Sequence, residues 1–375
     1  MARPHRTLHN GLRDGWAAAR LVSIDLARGL AVFGMFAVHV GPDSGEGLVG
    51  RVMEFAYGRS SVLFAVLTGF SLILITGRNA PKSGVASRQA IAKVAVRALI
   101  LLALGSILKY LDVAYEPILA YYGVCFLLVL PLYRLSAQQL GLLAAATALV
   151  LPQVRFLLLP MFGSESSAPE VFKLLVSGDY PALTWVPFLI AGMAIARFDL
   201  RTRAMHWCLG LAGVALAVLG FGGSSLALHL LPGVSAELAD LQELGLAPDF
   251  WWMYPDAYTA SWLWVALPHS ETTFWILGST GCAMIVLAAC SLAMEALPLL
   301  RKLVSPIIAV GSMPLTAYLL HFQGIYLLGE PCSLSALLGF IVVVSAFAVL
   351  WLRFFQRGPM EALVGRIANL ARHIP

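Results

Sequence analysis

The chain has 375 residues, 59% of them hydrophobic and only 12% charged, with a mean hydropathy of +0.83. A soluble protein of this length cannot hide that much apolar side chain in one core, so the composition excludes a soluble globular class and predicts an all-α, polytopic membrane bundle. The net charge of +5 comes without a basic tract, which argues against nucleic acid as a partner, and the five cysteines show neither a disulfide framework nor a metal-ligand spacing.

From the N-terminus, residues 1–20 are polar and basic and read as a cytoplasmic tail. No small-residue cleavage site follows the apolar run after them, so the first helix is expected to be an uncleaved anchor. About ten segments have the length a bilayer requires: 22–42, 60–77, 91–111, 118–134, 139–160, 182–198, 206–231, 274–295, 303–322 and 333–353. The stretch 232–273 is expected to be an extracytoplasmic loop. Its DFWWMYPDAYTASWLW run suits the headgroup region, either as an aromatic belt or as an interfacial or re-entrant piece beside a cavity. Residues 354–375 form a second cytoplasmic tail. No repeat or low-complexity linker divides the chain, so residues 1–375 are expected to form a single membrane domain. With the N-terminus in the cytoplasm, 20 of the 25 lysines and arginines fall inside, and only Arg51, Arg59, Lys109, Arg155 and Lys173 fall outside. This positive-inside bias puts both termini in the cytoplasm of a multi-pass cell-membrane protein.

The first span carries DLARGLAVFGMFAVHV, residues 25–40, with Asp25 and Arg28 near one end and His39 near the other. Eleven residues separate Arg28 from His39, so the two side chains differ by only about 20° in azimuth and lie about 16 Å apart along the axis. Asp25 is one turn before Arg28 and is placed to pair with it. Two readings stand side by side. In one, Arg28 snorkels to the inner headgroups and His39 caps the helix near the outer interface. In the other, the shared face is a polar path along which a phosphate-headed acyl carrier leaves its anionic end at Arg28 and threads its thioester to His39. Histidine suits the far end because its pKa near neutrality lets it take a proton from an acceptor hydroxyl or amine.

The Arg28–x10–His39 spacing and the stretch SIDLARGLAVFGMFAVHV resemble the opening of the transmembrane acyltransferase superfamily, which includes heparan-α-glucosaminide N-acetyltransferase and the bacterial YeiB-type membrane proteins. GRSSVLFAVLTGFSL (58–72) resembles their second helix, with Thr68-Gly69-Phe70 standing where they carry Ser-Gly-Phe. ILAYYGVCFLLVLPL (118–132), GDYPALTWVPFLIAGMAIARFDL (178–200), HSETTFWILGSTG (269–281), AVGSMPLTAYLLHF (309–322) and RGPMEAL (357–363) look like the YeiB-type pattern, particularly its actinobacterial members. Many YeiB-type proteins carry asparagine where this chain has His39.

The resemblance implies an acyl-CoA-dependent acyltransferase, with acetyl-CoA the expected donor and a glycan or glycolipid at the outer side of the membrane the expected acceptor. His39 is then the catalytic residue. Arg28 and Arg97, with Arg78, Lys82 or Arg88, are expected at the coenzyme phosphates, because arginine matches phosphate geometry. Asp25, Arg59, Thr68, His269 and His321 are expected to support the site. For His269 and His321 the competing reading is a buried histidine bonded to backbone or water, and for Arg59 it is a headgroup anchor. No metal is expected, since the histidines come from separate helices without ligand spacing. Membrane lipid is an expected partner, and a homo-oligomer is compatible with the sequence. The rival classes are a secondary transporter using Asp25, Arg28 and His39 as a proton relay, and a non-catalytic scaffold. Against the transporter, the sequence shows no pairing of Gly/Pro-broken helices in two halves.

Overall fold

In lipid no water is present to satisfy backbone N–H and C=O groups, so apolar segments of this length close their hydrogen bonds internally as helices. A computed structural model of the chain describes residues 5–42, 47–111, 113–162, 169–200, 202–243, 245 and 259–374, and among them there are helices and no strand. The N-terminal half contains α1 (His5–Val40), α2 (Gly47–Ala56), α3 (Arg59–Thr76), α4 (Gly84–Leu108), α5 (Leu119–Val129) and α6 (Ala137–Leu158). The short α7 (Glu170–Phe172) runs through a π-helical turn towards α8 (Ala182–Arg197), and α9 (Arg203–Ala217) continues through another into α10 (Gly223–Leu230). Then come α11 (Pro232–Glu243), α12 (Thr273–Ala296), α13 (Pro298–Leu303), α14 (Ser305–Ser312), α15 (Pro314–Leu328), α16 (Leu334–Phe354) and α17 (Pro359–Ala368). The N-terminal tail predicted for residues 1–20 is helical from His5 onward, as the start of α1.

All ten predicted segments are helical, but they are not ten equal spans. Seven are unbroken and long and apolar enough to cross a membrane. Leu119–Arg134 is a shorter apolar helix. The two remaining segments belong to bent pairs, by 57° between Glu170–Ser177 and Ala182–Arg197 and by 92° between Ser305–Ser312 and Pro314–Leu328. Proline explains both breaks, because the residue before it is pushed out of the α region. Met313, before Pro314, has φ −131° and ψ 53°, and Pro181 sits at the start of α8. The sequence shows no pairing of Gly/Pro-broken helices in two halves, whereas the described residues contain two bent helix pairs.

Burial separates an inner group of helices from an outer ring. The spans in α1, α3 and α12 are 56%, 61% and 61% buried, against 17–22% for α4, α6, α9–α10 and α16. Nearly every residue of α8 is buried as well. Apolar side chains gain little by leaving lipid for one another, so close backbone approach through small residues decides which helices touch. A methyl built on Gly69 would overlap the Leu189 carbonyl and one on Gly192 the Val66 carbonyl, which fixes the α3–α8 crossing. Gly29 and Gly311 do the same for α1 against α14, and Gly213 and Gly281 for α9 against α12.

At one end of the bundle Gln89 of α4 donates to the carbonyls of Arg372 and Ile374 at 3.0 and 3.1 Å, bringing the C-terminal segment beside the start of α4. In the 232–273 stretch, α11 and the turn at Ala260–Trp264 form a small satellite core in which Trp262, Val265 and Leu238 are buried together. Most of the aromatic run, residues 249–258, lies outside the described residues.

Candidate functional site

Arg28 and His39 sit on one face of α1, as the helical period requires, and each opens into a cavity. The cavity at Arg28, about 240 Å³, is lined by polar groups from four elements: Arg28, Thr68 and Ser71 of α3, Arg97 of α4 and Glu361 of α17. Phe64, Leu101, Tyr122 and Phe126 supply apolar wall. The cavity at His39 is small, about 30 Å³, room for roughly two waters. His39, His269, Tyr180, Ser60 and Ser61 line it. Met35, Ile118 and Tyr318 line both cavities, so a partition one side chain thick separates them. The Tyr318 hydroxyl is held there by accepting the Ile118 N–H at 3.2 Å.

Around Arg28 the hydrogen bonds are largely formed. Its guanidinium donates to Asp25 at 3.0 Å and to the Ser71 hydroxyl at 2.5 Å. Asp25 and Arg28 are each 22% exposed, so this pair is partly screened. Arg97 differs: it lines the cavity, and its Nε is buried with no hydrogen-bond partner among the described residues. Glu361 lies on the same wall but its carboxylate is engaged, accepting the N–H groups of Leu315 and Thr316 at 2.8 and 3.2 Å and the Thr316 hydroxyl at 2.6 Å. It thereby satisfies the start of α15 where Pro314 interrupts the chain of helical hydrogen bonds.

His39 lies in an aromatic stack. Its ring is 4.2 Å from Tyr115 and 4.9 Å from His321, both nearly parallel to it, and His321 stacks in turn on Phe36 at 4.7 Å. His321 is fully buried, and neither ring nitrogen has a hydrogen-bond partner among the described residues. It therefore touches the His39 ring without lining the cavity.

His269 arrives from the opposite side, on the loop before α12. The loop is buried, with His269, Ser270, Glu271 and Thr272 between 0% and 6% exposed. His269 and Glu271 both have positive φ, 59° and 57°. Side chains rarely adopt this region, and each such residue costs of order 1–3 kcal/mol unless its surroundings enforce it. Those surroundings are specific. Glu271 accepts from the Trp185 indole N–H at 2.8 Å and from the Thr184 hydroxyl, with Arg155 at 3.9 Å. Burial pushes the Glu271 carboxyl up to about 7 against the pull of Arg155, Thr184 and Trp185, and burial lowers His269 to about 4.

The structure brings together His39, His269 and, behind His39, His321 at one cavity, and Arg28, Asp25, Arg97 and Thr68 at or beside the other. It does not bring Arg78 or Arg88 to either. Arg78 donates to the carbonyls of Ala196 and Phe198 at 2.9 and 2.6 Å, capping the end of α8, while Arg88 is exposed on α4. Arg59 is also outside both, bonded to the carbonyls of Glu54 and Phe55 and set against the Phe55 and Phe221 rings. Arg155, counted above among the outer basic residues, is a buried partner of Glu271. Glu271, Trp185, Tyr318 and Glu361 escaped the sequence reading because their partners lie far away along the chain, 86 residues for Trp185 and Glu271. No local spacing encodes such a pair.

Two family models match the chain. The model for heparan-alpha-glucosaminide N-acetyltransferase, catalytic, matches residues 20–233, and that of a protein family of unknown function, DUF418, matches residues 243–370. No curated protein matches it.

Proposed function

The chain belongs to the heparan-α-glucosaminide N-acetyltransferase catalytic family, and from that premise we propose that it is an acyl-CoA-dependent membrane acyltransferase. The observation that carries the proposal is the pair of cavities along α1, cationic at Arg28 and Arg97, imidazole-lined at His39 and His269, and divided only by Met35, Ile118 and Tyr318. The coenzyme phosphates bind at Arg28 and Arg97, the two cations that line the larger cavity. The thioester passes the partition to His39, where the hydroxyl or amine of a glycan or glycolipid meets it. The bond from the acceptor oxygen or nitrogen to the acyl carbon forms as the carbon–sulfur bond breaks. His39 takes the acceptor proton and returns it to the departing sulfur. An acyl-histidine intermediate at the same residue is the alternative route.

The two broken helices beside the cavities favour a second reading, a secondary transporter, since such breaks line substrate sites in transporter folds. Purified protein assayed with acetyl-CoA separates the readings. The enzyme releases free coenzyme A, in transfer or in slow hydrolysis, and His39→Asn abolishes release. Proton-coupled uptake into proteoliposomes without coenzyme release selects the transporter, and neither activity selects the scaffold. The single-domain reading of residues 1–375 is supported by α12, which packs against α1, α3 and α9 across the boundary between the two family matches. The 20:5 basic asymmetry supports a cell-membrane orientation with both termini inside.

A further inference from the structure

We propose that Glu271 is a positioning residue for this reaction: its buried carboxylate, anchored across the bundle on Trp185 and Thr184, holds the turn that delivers the His269 imidazole into the cavity of His39. The inference rests on the acyltransferase reading and deepens it, since it adds a second buried structure on which the transfer site depends.

The turn cannot hold itself. Two non-glycine residues with positive φ flank Ser270, so the backbone from His269 to Glu271 relaxes unless something outside it enforces the conformation. Neighbouring contacts fix its ends. Ser270 N–H bonds the Leu267 carbonyl at 3.1 Å, and the Thr272 hydroxyl bonds the Val265 carbonyl at 2.5 Å while accepting the Trp275 N–H at 3.2 Å. A methyl built on Gly58 would lie 2.8 Å from Pro268, so α3 begins tight against the loop. The Glu271 side chain ties the turn to other helices, to Thr184 and Trp185 of α8 and towards Arg155 of α6.

The connection to His269 runs through aromatic rings. Trp185, whose indole N–H the carboxylate holds, packs on Tyr180 at 5.1 Å and Trp275 at 5.9 Å. Those same two rings contact His269, at 5.6 and 6.2 Å, with Tyr57 at 5.4 Å completing its surround. Glu271 thus sets both the backbone that carries His269 and the wall that confines its ring. Reach matters more than charge in this arrangement, because the anchor is an acceptor placed at the Trp185 nitrogen.

Two conservative variants separate reach from charge. Glu271→Gln keeps the length and an acceptor for Trp185 but removes the charge facing Arg155. Glu271→Asp keeps the charge but withdraws the carboxylate by one methylene. We expect Glu271→Gln to retain kcat within a few-fold, and Glu271→Asp to lose about 10²-fold in kcat, the size of loss a misplacement of about 1 Å produces. The KM for acetyl-CoA should stay unchanged in both, since the cavity at Arg28 and Arg97 is elsewhere. In a cycle with His269→Ala, the Glu271→Asp change should add nothing further, because it acts through His269. The reverse order, with Asp active and Gln inactive, makes Glu271 a structural ion partner and overturns the inference, as do additive losses in the cycle. A parent protein without coenzyme release overturns the functional reading and this inference together, whereas an active parent with an unaffected Glu271→Asp variant overturns the inference alone.

Discussion

Arg28 and Arg97 illustrate how the same side chain serves structure and ligand in different proportions. Arg28 already bonds Asp25 and Ser71, so Arg28→Ala should weaken coenzyme A binding and lower thermal stability, because Asp25 loses its partner. Arg97 has no partner at Nε to lose, so Arg97→Gln should weaken binding roughly tenfold or more, the worth of a charge-assisted hydrogen bond, with little change in melting temperature. Arg78→Ala should do the opposite, lowering stability through the lost cap on α8 while leaving binding intact. Calorimetry with coenzyme A and thermal melts in detergent read all three, and equal effects from Arg78 and Arg97 would refute the assignment. Glu271 also predicts a pH dependence. Its carboxyl is raised from 4.5 to about 7 by burial, so the folded chain binds more protons than the unfolded one between these values. The stability this group contributes is full below about pH 4.5 and is lost as pH rises through 7. Melts across that window should fall less steeply in Glu271→Gln than in the parent.

Helices here meet where glycine lets backbones touch, and they break where proline forbids continuation. Gly69→Val or Gly192→Val should destabilise the protein by about 1–3 kcal/mol or more, because the added carbons have backbone carbonyls rather than movable side chains in their way. Gly141→Ala, with nothing nearby, serves as the control and should melt like the parent. The break at Met313–Pro314 gives a prediction with two signs. Glu361→Ala strips the acceptor from Leu315 and Thr316, costing about 1–3 kcal/mol, and also removes a negative charge from the wall shared with Arg28 and Arg97. Stability should fall while coenzyme A affinity rises. A fall in both would mean that the α15 start shapes the binding cavity more than the charge does.

At the scale of the molecule, the site depends on the bundle having two distinct ends. Arg28 and His39 are fixed about 16 Å apart by α1 alone, but orientation in the membrane decides which compartment each serves. In a cysteine-free background, Asp240→Cys should react with an impermeant thiol reagent from outside the cell and Arg301→Cys only after the membrane is opened. Both positions are exposed on the protein. Labelling of residue 240 from the cytoplasmic side would reverse the orientation, and with it the compartments of donor and acceptor.

The sequence by itself determined whatever local periodicity and composition encode. Long apolar runs make helices in lipid wherever they occur, and a spacing of eleven residues puts Arg28 and His39 on one face of any α-helix. The family match over residues 20–233 agrees with the resemblance read from those residues. The break before Pro314 was not legible, because the hydropathy of 303–322 makes it a single span. Tertiary structure alone decided the rest. The partition of Met35, Ile118 and Tyr318, the stack of Tyr115, His39 and His321, and the anchoring of Glu271 by Trp185 all join residues far apart along the chain. The strain at His269 and Glu271 was equally hidden, because neither is the glycine that marks a left-handed turn in a sequence. Helix formation is set within a few residues of chain, whereas a buried polar partner is chosen by which helices pack together, and that choice is made by glycine crossings distant from the site.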